Sequence, residues 1–340
     1  MLTVKKDKNH PEVVQTYILF FAQKKFKKNL NLTVIKLLIN KSKPTMKVLL
    51  FTITTFIAAA LFGYTAINNV RSGVLIQKEK QIVSCAPEDI LEIARLEAST
   101  KEYAALHPDP FYFKIKDPKG EQISFSTPDG TKASGYEIKN KKKTKNYLFV
   151  IHEWYGLNDY IKQEAELLST ELENTDVIAL DLYDGKVAAT ADSAMKYVSS
   201  ANPQRLENII KGAIAYAGTD AKIYTIGWCF GGMWSLQASI LAGKQGAGCV
   251  MYYGRPETNM EKLQQINADV IGFFGNQDKG ITPEKVTEFE ENMKKAGKKL
   301  TVYRYEAGHG FANPSNPVFN KEAREDAHEK TLAFLRSRIK

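Results

Sequence analysis

From about Phe111 to the C-terminus, short unbroken apolar runs alternate with helix-length amphipathic segments, and this pattern constrains the fold more than any other feature of the chain. The runs are Tyr147–Ile151, Val177–Leu180, Ile223–Ile226, Cys249–Tyr253, Val270–Phe274 and Leu300–Tyr305. Helical spacing falls between them, at Tyr160–Glu171, Arg205–Tyr216, Gly232–Leu241 and Pro283–Lys295. A strand apolar on both faces has to be covered on both faces, which a parallel sheet flanked by helices achieves. Phe111–Ile115 and Gln122–Ser126, followed by Asp129-Gly130, predict an antiparallel start. The expected class is therefore α/β, a mostly parallel central sheet with helices on both faces. Ligand sites in such sheets form in the loops at the carboxyl ends of the strands, and the search narrows to those loops.

The chain before this pattern reads differently. Residues 1–45 form a basic N-terminal extension, or lie upstream of a true start at Met46. Residues 46–67 hold Lys47 and the apolar run Val48–Phe62, whose fifteen residues suit a signal peptide or a marginal membrane anchor. With lysines ahead of it, such a segment would place the body of the protein outside the cytoplasm. Residues 68–110 read as a connector with a helix, marked by Pro87, Glu88 and Asp89 and by Ile90, Ile93 and Leu96 at helical spacing. The fourth part, 111–340, carries the α/β pattern.

The net charge of +9 invites a nucleic-acid reading, and its distribution removes it. Residues 1–47 hold 11 of the 47 basic residues and two of the 38 acidic ones, so the whole excess lies there and the remainder is neutral. No nucleic-acid partner is expected, and membrane contact is expected only through the N-terminal segment. Three cysteines are too few for a disulfide scaffold; a Cys85–Cys249 bridge stays open, with nothing in the spacing demanding it. Oligomeric state is not legible.

The sharpest local signal is Gly227-Trp228-Cys229-Phe230-Gly231-Gly232, directly between an expected strand and an expected helix. A nucleophile displayed on so sharp a turn needs small neighbours, and cysteine stands here where such elbows commonly carry serine. The helix behind it would favour a thiolate through its N-terminal dipole. Taken alone, Cys229 reads equally as a buried small apolar residue. The context decides otherwise. Asp278 follows the run Val270–Phe274, and His309 follows Leu300–Tyr305. Nucleophile, acid and histidine come in that order, 49 and then 31 residues apart, as expected for a triad on successive strand ends of an α/β-hydrolase sheet. His309 would take the thiol proton and Asp278 would fix its tautomer. After Tyr147–Ile151 comes His152-Glu153-Trp154-Tyr155-Gly156-Leu157-Asn158. Its Trp154 N–H, with that of Phe230, is the expected oxyanion hole. Glu153 is a further candidate, because a carboxylate beside a thiol disfavours the thiolate. His152 reads as structural, and no metal site or cofactor is expected.

These residues, with Asp181-Leu182-Tyr183 and Gly308-His309-Gly310-Phe311, resemble the dienelactone hydrolase family of α/β-hydrolases over about residues 111–340. The resemblance implies an α/β-hydrolase fold and a cysteine hydrolase of esters or lactones. Cys229, Asp278 and His309 would be its triad, and Glu153 its thiol-controlling acid, displaced when substrate binds. It puts forward Tyr183, Lys186 and Phe311 as substrate-pocket residues. Two arginines that hold a substrate carboxylate in the family are missing: the matching stretches read Asp181-Leu182-Tyr183-Asp184-Gly185-Lys186 and Gly308-His309-Gly310-Phe311-Ala312-Asn313. Lys186 offers a point charge but no bidentate fork. A neutral small-molecule ester or lactone is therefore at least as good a candidate substrate as an anionic dienelactone. The alternatives are a membrane-tethered binding module on a hydrolase scaffold, and thioesterase or transacylase chemistry with the same residues.

Overall fold

All six expected apolar runs, and Gln122–Ser126, become strands of one eight-stranded sheet. The computed structural model describes residue 109 and residues 113–339, all within one unit, Ser84–Lys340. The expected extension 1–45, the signal or anchor segment 46–67 and the connector 68–110, Asp109 apart, lie outside the described residues. Among the described residues, no helix is long and apolar enough to cross a membrane.

In chain order the strands are β1 (Glu121–Ser126), β2 (Lys132–Ile138), β3 (Asn146–Ile151), β4 (Asp176–Leu180), β5 (Lys222–Trp228), β6 (Gly246–Tyr252), β7 (Val270–Gly275) and β8 (Leu300–Tyr305). In space they run β1-β2-β4-β3-β5-β6-β7-β8. The β1/β2 and β2/β4 pairs are antiparallel and the rest parallel. The helices are α1 (Asp159–Glu171), α2 (Ala191–Ser200), α3 (Pro203–Ala217), α4 (Phe230–Leu241), α5 (Met260–Gln265), α6 (Pro283–Lys295) and α7 (Lys321–Arg336).

Burial on both faces explains the unbroken apolar runs. Along β3, Leu148 and Val150 enter one core cluster while Phe149 and Ile151 enter the other, and all four are fully buried. The chain leaves β3 toward β4 on one side and returns to β5 on the other, so the carboxyl ends of β3 and β5 form the point where the winding reverses. A crevice is expected there. The register sets Ile151 beside Gly227, which brings the loop after β3 against the turn after β5.

Five elements depart from the expectation, and β2, which no expected run covers, is one of them. Phe113–Ile115, expected within a strand, are irregular. The Phe113 ring stacks on Tyr160 with centroids 4.7 Å apart, and the Ile115 N–H donates to Asp159 Oδ2 at 3.0 Å, so this stretch covers the start of α1. Residues 185–203 carry no readable motif, yet they contain α2, begun by a reciprocal capping box between Thr190 and Ser193. The short α5 is likewise added. α7 is added too: its buried face is largely Ala323, Ala327 and Thr331, small residues that give a weak apolar period.

Candidate active site

The site is built on the turn between β5 and α4. Cys229 there has φ 54° and ψ −117°, a left-handed backbone that a side-chain-bearing residue adopts only under constraint. The constraint is visible on both sides. The Cys229 N–H donates to the Tyr252 carbonyl at 3.0 Å, pinning the elbow to β6, and helix α4 starts at the next residue. The first helical N–H groups have no partner within the helix, so Phe230 presents its N–H at the turn. Close backbone contact requires the glycines. A Cβ on Gly231 would lie 2.2 Å from the Ile151 carbonyl oxygen and 2.5 Å from that of His152. Both are main-chain atoms, so neither can rotate away. Gly231→Ala is expected to destabilise the domain by about 3 kcal/mol or more, read as a lower denaturation midpoint; a loss under about 1 kcal/mol would show that the elbow has slack.

The acid and the base come from the next strand ends. Asp278 lies between β7 and α6, and His309 follows β8. The His309 Nδ1 and Asp278 Oδ2 are 2.6 Å apart, with both side chains buried. The other carboxylate oxygen accepts from the Gly280 N–H at 2.8 Å and the Ile281 N–H at 2.9 Å. Burial alone would raise the Asp278 pKa; the charge of His309 and these hydrogen bonds outweigh it and hold the carboxyl below its usual range. Burial pulls the other way on His309. The charges of Asp278 and Cys229, with hydrogen bonds to both, keep its imidazole well above the usual histidine range. The structure thus brings the three residues chosen from the sequence together at one end of the sheet, with Asp278 against His309 and the Cys229 charge acting on His309.

The loop after β3 closes the site. The His152 Nε2 accepts from the Leu182 N–H at 3.1 Å, so its proton sits on Nδ1, which donates to the Glu153 carbonyl at 2.5 Å. Burial lowers its pKa and keeps it neutral. This histidine is structural, and its bond fixes the Glu153–Trp154 peptide plane. Because a trans peptide points N–H and C=O in opposite directions, tying the carbonyl to His152 turns the Trp154 N–H away from it. The Glu153 carboxyl accepts from Asn313 Nδ2 at 2.7 Å. Burial and the charge of Cys229 push its pKa up to about 8, against the opposing pull of His309, Asn313 and Tyr253.

The three pocket candidates fare differently. Tyr183 is buried against His152, Phe230 and Tyr197, and its hydroxyl has no hydrogen-bond partner among the described residues. Asp181 holds its loop by accepting from the Tyr183 and Gly185 N–H groups and from Ser134. Lys186 is exposed, its ammonium 5.9 Å from the centre of the Tyr197 ring. Phe311 is not a pocket wall. It is fully buried between Tyr253 and Tyr305, because the loop after His309 turns its apolar ring into the core. A cavity of about 280 Å³ lies beside Glu153, lined also by Tyr155, Trp228, Tyr253, Asn313, Arg324 and Glu164. Asn313 and Tyr253 are the contributors that the sequence reading passed over. An asparagine in a loop carries no signature of its own; only its place just after Gly308-His309-Gly310-Phe311 could have marked it. Among the described residues there is no group of three or more metal-ligating side chains. Cys249 is fully buried, and burial pushes its thiol up to about 11; Cys85 lies outside the described residues.

Comparison with known proteins agrees with this geometry. The sequence profile of the dienelactone hydrolase family matches residues 133–339. A carboxymethylenebutenolidase of Pseudomonas sp. (strain P51) is 30% identical over 132 residues, covering 37% of this chain and 54% of that protein. Carboxymethylenebutenolidase 1 of Cupriavidus pinatubonensis is 23% identical over 228 residues, covering 63% of this chain and 95% of its own length. Among solved structures, a dienelactone hydrolase-like promiscuous phosphotriesterase from metagenomic libraries superimposes with a TM-score of 0.54 at 19% identity, over 65% of this chain and 99% of that one. At that identity the likeness concerns the fold.

Proposed function

The chain belongs to the dienelactone hydrolase family, and on that premise we propose that it hydrolyses neutral esters or lactones through a thioester on Cys229. The observation that carries this reading is the strained Cys229 at the elbow, with the buried His309–Asp278 pair, 2.6 Å apart, near enough for the Cys229 charge to act on His309.

The steps follow from the geometry. The Cys229 thiolate attacks the carbonyl carbon, and the negative charge moves to the carbonyl oxygen, where the N–H groups of Trp154 and Phe230 receive it. The C–O bond to the alcohol then breaks, and the His309 imidazolium gives its proton to the departing alkoxide. In a lactone that alkoxide stays attached to the acyl group, so ring opening leaves one chain on the sulfur. His309, now neutral, takes a proton from water, the hydroxide attacks the thioester, and the thiolate leaves. Asp278 keeps the proton of His309 on Nδ1 throughout, so that Nε2 is the exchanging atom.

Two observations favour neutral substrates. Asn313, at the position where the family carries an arginine, uses its amide on Glu153, and Lys186 faces solvent over Tyr197. Neither position offers a bidentate cation to a substrate carboxylate, and the arginine that does line the cavity, Arg324, is already paired with Glu164 at 3.4 Å. The alternative of a binding module without catalysis has no observation in its favour. The test is turnover of a panel of neutral esters, lactones and an anionic dienelactone by the full chain. Neutral substrates are expected to be turned over at least about 10-fold more efficiently, the effect of roughly one missing charge-assisted contact. A preference for the anionic compound would overturn the substrate assignment while leaving the chemistry standing.

A further inference from the structure

Glu153 faces a cavity of about 280 Å³ on one side, so packing alone does not hold its carboxyl in place. A hydrogen bond does: Asn313 Nδ2 donates to Glu153 Oε2 at 2.7 Å. The direction of that amide is set from behind. Asn313 Oδ1 accepts from the Ser315 N–H at 2.9 Å and the Ser315 hydroxyl at 2.7 Å, which leaves only the NH₂ end to face Glu153. The Asn313 main chain is itself fixed, its N–H to the Gly310 carbonyl and its carbonyl to the Asn316 N–H, each at 3.0 Å. We propose that Asn313 is a positioning residue, oriented by Ser315, that latches the Glu153 carboxyl in its resting place beside Cys229.

The proposal rests on the reading of Glu153 as the acid that controls the Cys229 thiol. An amide donor favours the carboxylate form, so the latch eases ionisation of Glu153, and the charge so formed opposes formation of the Cys229 thiolate. Several other groups act on the same carboxyl. Cys229 comes from the elbow, His309 from the loop after β8, Tyr253 from the loop after β6, and Tyr155 from its own loop. The same cavity is lined by Glu164 on α1 and by Arg324 and His328 on α7. Those three are engaged with acidic or basic partners: Arg324 with Glu164 at 3.4 Å, and His328 with Glu171 at 2.8 Å. Asn313, whose bond to the carboxyl is 2.7 Å long, is a neutral donor that can be removed without adding or deleting a charge.

The test is the rate of alkylation of Cys229 by iodoacetamide in the full chain, from about pH 6 to about pH 10, which needs no substrate turnover. The wild-type profile is expected to rise less steeply beyond a step near 8, where Glu153 ionises, and Glu153→Gln to remove that step. Asn313→Leu is expected to move the step upward by about one pH unit, the loss of one hydrogen bond to a charged group. Ser315→Ala, which removes one of the two anchors and leaves Asn313 in place, is expected to move it the same way by less; it carries the test if the leucine variant does not fold. A step unmoved in the folded Asn313 and Ser315 variants, but removed by Glu153→Gln, overturns the latch and leaves thiol control by Glu153 standing. A wild-type profile without the step overturns thiol control by Glu153 itself.

Discussion

Replacing Cys229 by alanine is expected to lower kcat/KM for esters and lactones by on the order of 10⁴-fold or more, to the level left by the oxyanion donors and binding alone. The magnitude follows from the mechanism, because without the sulfur no thioester forms, and His309 and Asp278 have no thiolate to pair with. The fold should survive the change. Alanine meets the same steric cost at φ 54° as cysteine does, and the Cys229 N–H still reaches the Tyr252 carbonyl, so the thermal midpoint should stay within a few degrees. Iodoacetamide should label Cys229 and spare Cys249, whose thiol burial pushes up to about 11. Steady-state kinetics on one ester, with peptide mapping of the labelled thiol, checks both parts. An alanine variant with activity within about 10-fold of wild type would mean that another group attacks the carbonyl.

Asp278→Asn is expected to lower kcat/KM by on the order of 10³- to 10⁴-fold, an effect out of proportion to one changed atom. The surrounding hydrogen bonds decide which way the amide turns. The N–H groups of Gly280 and Ile281, at 2.8 and 2.9 Å, both demand an acceptor at Oδ1, so the asparagine must keep its oxygen there and turn its NH₂ toward His309. The Nδ1 of His309 then becomes an acceptor, its proton moves to Nε2, and the nitrogen that should receive the thiol proton is already occupied. The imidazolium also loses the neighbouring charge that keeps its pKa well above the ordinary histidine range. The pH profile should therefore lose its dependence on a charged His309, with KM changed little. A variant within about 10-fold of wild type in kcat would show that Asp278 does not set the tautomer.

Much of this site was legible in the sequence because its chemistry sits at predictable places. Strand runs apolar on both faces announced a parallel sheet, and a parallel sheet puts its functional loops at the strand ends. Cys229, Asp278 and His309 could then be chosen by asking which loops held a nucleophile, an acid and a base in that order. The misses have a physical pattern. Phe111–Ile115 alternates like a strand, but strand pairing depends on a neighbour with free backbone groups, and the described part instead meets Asp159 and Tyr160 at the start of α1. The resemblance put Phe311 forward as a pocket residue, yet the direction of a loop side chain is set by what surrounds it, and its ring packs against Tyr253 and Tyr305. α7 hid because alanine buries well and signals weakly.

By itself, then, the sequence determined the fold class, the order and identity of the residues at the elbow, and the placement of Asp278 and His309 after the later strands. These depend on periodicity and on local backbone demands, which are written in neighbouring residues. The tertiary structure decided the rest: the proton on Nδ1 of His152, the alignment of the Trp154 peptide, the carboxyl of Glu153 pushed up to about 8, and the amide of Asn313 turned toward it. Each of those is a property of an environment assembled from residues far apart in the chain. Glu153 follows β3 and Asn313 follows β8, 160 positions on, and only the folded chain brings them together.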